Sequence, residues 1–95
     1  MSLEDRAARI NHDAARPLWQ QVADDLRAEI TAGRLAAGTR LPAEHELAAQ
    51  YGVSRVTVRH AIKALADELL VEVVQGRGTF VTGPASGNSR RNLRS

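Results

Sequence analysis

The sequence has no cysteine, a single lysine and only three aromatic residues. Without cysteine there is no disulfide framework and no thiolate chemistry, a usage that fits a reducing, cytoplasmic setting. With Trp19, Tyr51 and Phe80 as the whole aromatic complement, a core must rest on aliphatic side chains. No apolar run approaches the roughly 20 residues of a membrane span, so no membrane association is expected. The first ten residues, MSLEDRAARI, carry early acids and no apolar h-region, which excludes a secretory signal. The three histidines, His12, His45 and His60, are scattered without metal-ligand spacing. Glu44 and Glu46 read as first-turn acids favoured by a helix dipole rather than as an acid/base pair. The Gly76-Arg77-Gly78 turn lacks the strand–loop–helix setting of a nucleotide-binding loop. The expectation is a protein that is not an enzyme and uses no cofactor and no metal.

What is present is one small domain's worth of chain, 95 residues with 43% hydrophobic and 25% charged side chains. The net charge of +2 hides an uneven split. Up to Glu46 there are six basic and eight acidic residues, and from Leu47 onward seven basic and three acidic. No acid lies between Glu46 and Asp67, and none follows Glu72. Such an imbalance points to a polyanionic partner facing the second half; a solvated face is the ordinary alternative.

Periodicity divides the chain. Residues 1–15 form an N-terminal extension, either a frayed helix capped by Ser2 or unstructured. Residues 16–82 form the folded domain. Pro17 sits in the first turn of a helix whose Leu18, Val22, Leu26 and Ile30 recur at helical spacing, with Trp19 and Ala23 widening the stripe and Gly33 ending it. Arg40-Leu41 is a candidate short strand. A second helix spans about 43–51, Gly52 stops it, and Val53 plugs the core. Ser54 caps a third helix over 54–68, with Val58, Ile62, Leu65 and Leu69 on one stripe beside Ala61. Val56, Arg59, His60 and Lys63 fall on the other side. Two strands, 71–75 and 79–82, join through Gly76-Arg77-Gly78. Residues 83–95, rich in Gly, Ser, Asn and Arg, read as a disordered tail or interdomain linker.

The resulting fold class is mainly α with a small β-hairpin, in the order α-(β)-α-α-β-β. Only Gly52 and Val53 separate the second and third helices, the spacing of a helix-turn-helix, and the basic hairpin serves as its wing. A recognition helix enters the major groove with its N-terminal residues against base edges. Arg55 and Arg59 project from the exposed first turns, and arginine bonds guanine bidentately through O6 and N7. Ser54 and Thr57 suit phosphate oxygens, with Ser54 a helix cap first, and Lys63 a turn further on suits phosphate. Val56 has no stabilising role in water but fits a thymine methyl. Arg77 at the wing, 75–79, suits a narrow minor groove. The plainer readings are a solvated Arg59 or one paired with Glu46, and a His60 that is only a polar surface residue.

From Pro17 onward the chain resembles the DNA-binding domain of the GntR family of bacterial transcription regulators. The matching pieces are Pro17-Leu-Trp-Gln-Gln-Val, Leu26-Arg with Ile30 and Gly33-Arg-Leu, and Leu41-Pro-Ala-Glu-His-Glu-Leu-Ala48. They continue with Gly52-Val-Ser-Arg-Val-Thr-Val-Arg59, Ala61 to Leu65, and Gly76-Arg-Gly-Thr-Phe-Val81. Each is weak alone; their order is specific. The resemblance implies a winged helix-turn-helix that binds a pseudo-palindromic double-stranded DNA operator as a homodimer, usually as a repressor. It places DNA contacts at Ser54, Arg55, Val56, Thr57 and Arg59, and at Gln75, Gly76 and Arg77 of the wing. His45 stands where the family commonly has an operator-reading arginine.

Two other positions depart from the family pattern. Ala43 replaces the usual capping serine, a loss of about 0.5–2 kcal/mol for the second helix. Leu69 replaces a glycine that ends the recognition helix in a left-handed turn, so either leucine carries about 1–2 kcal/mol of strain or the helix runs longer. Family members usually continue into an effector-binding, dimer-forming C-terminal domain, whereas thirteen residues follow Thr82. A piece cut at the linker and a minimal regulator both fit. Arg90, Arg91 and Arg94 are candidates for non-specific phosphate attraction, the plainer reading being solubilising linker residues. A self-associating surface at Leu3, Ala7 and Ile10 would relieve the weak binding of a module that buries only ~600–1,000 Å² on DNA. The competing function is a winged-helix protein–protein interaction module.

Overall fold

The computed structural model describes residues 3–83, with side chains from residue 6 onward. The Ser2 cap, the Leu3 side chain and the tail arginines Arg90, Arg91 and Arg94 lie outside the described residues. Four helices precede one hairpin: α1 Leu3–Ala8, α2 Leu18–Thr31, α3 Glu44–Tyr51, α4 Arg55–Asp67, β1 Val71–Val74 and β2 Gly78–Val81.

The core is aliphatic. Val22, Ala23, Leu26 and Ile30 of α2 meet Val58, Ala61 and Leu65 of α4, with Leu47, Ala48 and Tyr51 of α3 closing the third side. Val71 and Val81 seal the hairpin end, and Leu35 and Val53 pack against the margin. Pro17 is the N-cap of α2 rather than its first helical residue; its carbonyl accepts the N–H groups of Gln20 and Gln21 at 3.1 and 3.2 Å.

The turn between α3 and α4 sets their relative orientation. Gly52 takes φ +70°, a left-handed conformation open to glycine without a Cβ penalty, and its N–H closes on Ala48 at 2.8 Å. Ser54 then caps α4, its Oγ accepting the Thr57 N–H at 3.1 Å. Ala43, the N-cap of α3, has no side-chain oxygen to give. Half of the capping box survives nonetheless, because Glu46 accepts the Ala43 N–H at 2.8 Å.

The strained alternative holds at the end of α4. The helix stops at Asp67, and Leu69 sits at φ +64°. Leu69 donates to Ala66 at 3.0 Å and Leu70 to Leu65 at 3.0 Å, the pair of bonds that closes a Schellman motif. Leu70 turns back toward the core beside Leu65. Leu69 does not: it is 69% exposed, so its expected place on the apolar stripe is corrected by the left-handed turn.

The hairpin pairs Val71 with Val81, Glu72 with Phe80, Val73 with Thr79 and Val74 with Gly78. Gln75 lies in the turn rather than in the first strand, and the second strand starts one residue early, at Gly78. The expected short strand is an antiparallel bridge from Arg40 to Phe80, flanked by Leu41 N–H to Thr79 and Val81 N–H to Thr39, both 2.8 Å. Gly78 takes φ +126°, a backbone conformation that L side chains rarely adopt, and a Cβ there would also displace the Arg40 guanidinium, whose Nε would lie 2.7 Å away.

The N-terminal helix docks on α3, and Ile10 is buried in the core at 8% exposure. Ile10 is therefore corrected from a member of a self-associating surface to a core residue, while Ala7 remains exposed. A polar cluster fastens this end. Arg6 donates to the Tyr51 hydroxyl at 2.8 Å and pairs with Glu29 at 3.1 Å. Arg9 joins Asp25 and Glu29. Glu29 is only 4% exposed, and two guanidinium groups compensate its buried charge.

Candidate nucleic-acid interface

The aliphatic stripe of α4 faces the core, so its opposite side is delivered to solvent. Ser54, Arg55, Val56, Arg59, His60 and Lys63 are exposed and Thr57 is half-buried. Val56 stands out at 65% exposure. Ser54 and Thr57 are engaged with each other, hydroxyl to hydroxyl at 2.9 Å, as well as through the cap bond. Their free lone pairs and the α4 N-terminus still face outward, where helix N–H groups and the dipole favour an anion.

The two arginines are not alone. Arg59 donates Nε and Nη2 to the two oxygens of Glu44, each at 2.8 Å. Arg55 Nε lies 3.6 Å from the same carboxylate. Neither plainer reading of Arg59, solvated or paired with Glu46, holds: Glu46 folds back on its own helix terminus, and the first residue of α3 reaches α4 instead. A hydrogen bond from Arg59, with the charges of Arg59 and Arg55 behind it, holds the Glu44 carboxyl below its ordinary value. The same bond raises Arg59 above its own. The acid-free stretch of sequence thus receives one acid from an adjacent element. Sequence spacing carried no signal for it: the short turn joins the end of α3 to α4, whereas Glu44 lies at the far end of α3.

His60 is not an isolated polar residue. Its ring stacks on Trp19 with centroids 4.1 Å apart and an interplanar angle of 14°, which joins the start of α2 to the middle of α4. Lys63 lies 3.8 Å from Asp67, an exposed i,i+4 pair that holds it only weakly. Behind this face Arg27 bonds Glu68 at 2.8 Å, tying α2 to the end of α4. That bond holds the Glu68 carboxyl below the ordinary carboxylate value.

A groove of about 660 Å³ runs from α4 to the hairpin. Arg59, Ile62 and Lys63 border it on the helix side, and Val73, Gln75 and Thr79 on the hairpin side. The structure therefore brings Arg59 and Lys63 of α4 and Gln75 of the wing onto one groove; Ser54, Arg55, Val56, Thr57, Gly76, Arg77 and His45 do not line it. Gln75, Gly76 and Arg77 are exposed at the wing tip, where the Arg77 N–H closes the turn on Val74 at 3.0 Å. His45 is exposed on α3, next to Glu44. Among the described residues no group of three or more His, Cys, Asp or Glu is placed to hold a metal ion, and no helix is long and apolar enough to cross a membrane.

Two helices joined by a three-residue turn, Gly52 to Ser54, a third helix behind them and a hairpin beside the second define a winged helix-turn-helix. The chain belongs to the GntR family: residues 18–81 match the family described as "Bacterial regulatory proteins, gntR family". It is 46% identical over 66 residues to the mannosyl-D-glycerate transport/metabolism system repressor MngR of Escherichia coli, an alignment covering 70% of this chain and 28% of that protein. It is 38% identical over 86 residues to the HTH-type transcriptional repressor NagR of Bacillus subtilis, covering 90% and 35%. The chain thus spans about a third or less of the length of these relatives. Among solved structures, YtrA from Sulfolobus acidocaldarius, a GntR-family transcription factor, superposes with a TM-score of 0.72 at 36% identity, covering 80% of each chain. The AraR DNA-binding domain in complex with operator ORX1 superposes with a TM-score of 0.71 at 36% identity, covering 77% of this chain and 92% of that one.

Proposed function

We propose that this chain reads a specific sequence in double-stranded DNA and serves transcriptional repression. The observation that carries this is the groove that Arg59 and Lys63 of α4 share with Gln75 of the wing, with Arg55 exposed in the first turn of the same helix and Arg77 exposed at the wing tip. The helix α4 enters the major groove, Arg55 and Arg59 address guanines, and Val56 lies against a thymine methyl. Ser54, Thr57 and Lys63 contact phosphates, and His45 at the exposed start of α3 meets the groove edge. Gln75, Gly76 and Arg77 carry the wing to the adjacent minor groove. Solved AraR domains are complexes with operator DNA, and the curated relatives include repressors, which supports both parts of the reading. A pseudo-palindromic operator and a homodimer on it follow from the small footprint of one module. The large exposed apolar side chains, Val56, Leu69 and Val73, lie on three different segments, which gives a protein–protein module no specific support.

Selection from random duplex DNA tests this, with Arg55→Ala and Arg59→Ala alongside at two salt concentrations. Enrichment of an inverted repeat, lost in both variants, is the expected outcome. Enrichment of a single half-site retains DNA reading and removes the dimer. Salt-sensitive binding with no enrichment overturns sequence reading altogether.

A further inference from the structure

A carboxylate on a surface that meets a polyanion repels it, so Glu44 is a cost to binding unless it does something for the groups beside it. What it does is geometric. A guanidinium has five N–H donors in a planar fork, and the Arg59–Glu44 pair occupies one side of that fork, Nε and Nη2. The outer edge, Nη1 with the second Nη2 proton, has no partner among the described residues. That outer edge still offers two parallel N–H donors, enough to bond guanine O6 and N7 bidentately.

We propose that Glu44 is a positioning residue for base recognition: it clamps the inner side of Arg59 and so presents the outer edge to a guanine. Arg55, 3.6 Å from the same carboxylate, is drawn toward the same anchor, which sets the spacing between the two reading arginines. The hydrogen bond from Arg59 that lowers the Glu44 carboxyl favours the ionised form of this clamp. A pre-oriented arginine loses less side-chain freedom on binding than a solvated one, and that saving falls only on the sequence offering a guanine at the right place. The inference rests on the reading of α4 as the DNA-recognition helix.

The test exploits two effects of opposite sign. Glu44→Ala, Glu44→Gln, Arg59→Ala and the Glu44→Ala/Arg59→Ala double variant are titrated with the selected duplex and with a scrambled one at a single salt concentration. Circular dichroism and thermal midpoints check folding. Glu44→Ala, having lost a negative charge, binds the scrambled duplex more tightly, yet its selected-to-scrambled ratio falls about tenfold. Glu44→Gln, which keeps size and one acceptor oxygen, falls less and reads the effect if the alanine variant fails to fold. In the Arg59→Ala background the Glu44 change lowers the ratio by less than it does in the wild-type chain, the remainder acting through Arg55. Affinities for both duplexes rising together, with the ratio unchanged, overturn the inference and leave the DNA reading standing. A wild-type chain that prefers no duplex overturns both.

Discussion

The Tyr51 hydroxyl donates to the Asp25 carboxylate at 2.6 Å while accepting from Arg6 at 2.8 Å, so the last residue of α3 is bonded to both α1 and α2. The ring is fully buried and fills the core beneath. Burial, with the Asp25 bond behind it, pushes the hydroxyl well above the ordinary tyrosine value, so it remains a donor throughout the physiological range. Tyr51→Phe keeps the packing and deletes both bonds. The expected loss is about 1–3 kcal/mol, seen as a lower urea midpoint with an unchanged slope.

Asp25 makes the same cluster sensitive to acid. Burial alone would raise its carboxyl, but hydrogen bonds from Arg9 and Tyr51 outweigh that and hold it below the ordinary value. The unfolded chain then binds the proton first. The stabilisation is complete above the unfolded value of about 3.9 and is lost as pH falls through the lower folded value. Asp25→Asn is expected to be less stable at neutral pH and to lose less stability on acidification. Urea midpoints measured across the acid limb check both. Glu44 and Glu68 are also depressed, but they lie in the solvent-screened regime where such pairs add little.

Leu69 is strained and gains nothing from its side chain, which is 69% exposed at φ +64°. Leu69→Gly relieves about 1–2 kcal/mol of left-handed strain and returns part of it as unfolded-state freedom. A net gain of about 0.5–1 kcal/mol is expected, read as a higher thermal midpoint with α4 unchanged by circular dichroism.

Arg77 and Arg55 should fail differently on DNA. Arg77 sits at the exposed wing tip, and its loss is expected to reduce the salt slope by about one and to weaken binding most on duplexes with a narrow minor groove. Arg55→Ala is expected to lower discrimination first, by roughly five- to a hundredfold for one guanine. Binding isotherms on selected and scrambled duplexes over a salt series separate the two.

The elements themselves were legible in the sequence. The helical spacing of Val22, Leu26 and Ile30, the cap at Ser54, the stop at Gly52 and the Gly76-Arg77-Gly78 reversal are signals between near neighbours in the chain, and each stands in the structure. So was the sidedness of α4, because burying Val58, Ala61 and Leu65 leaves Arg55, Arg59 and Lys63 outside. Leu69 posed a choice that local rules left open; the left-handed turn there lets Leu70 bond back to Leu65 and pack, half-buried, on the core. The partners of the charged residues were not legible. Arg59 meets Glu44 across 15 residues, Tyr51 meets Asp25 across 26, and Arg6 meets Tyr51 across 45. The Trp19–His60 stack and the burial of Ile10 belong with them. Local spacing determines which face of a helix is apolar. Which charge lies opposite which depends on how the helices cross, and that is decided only when the whole core packs.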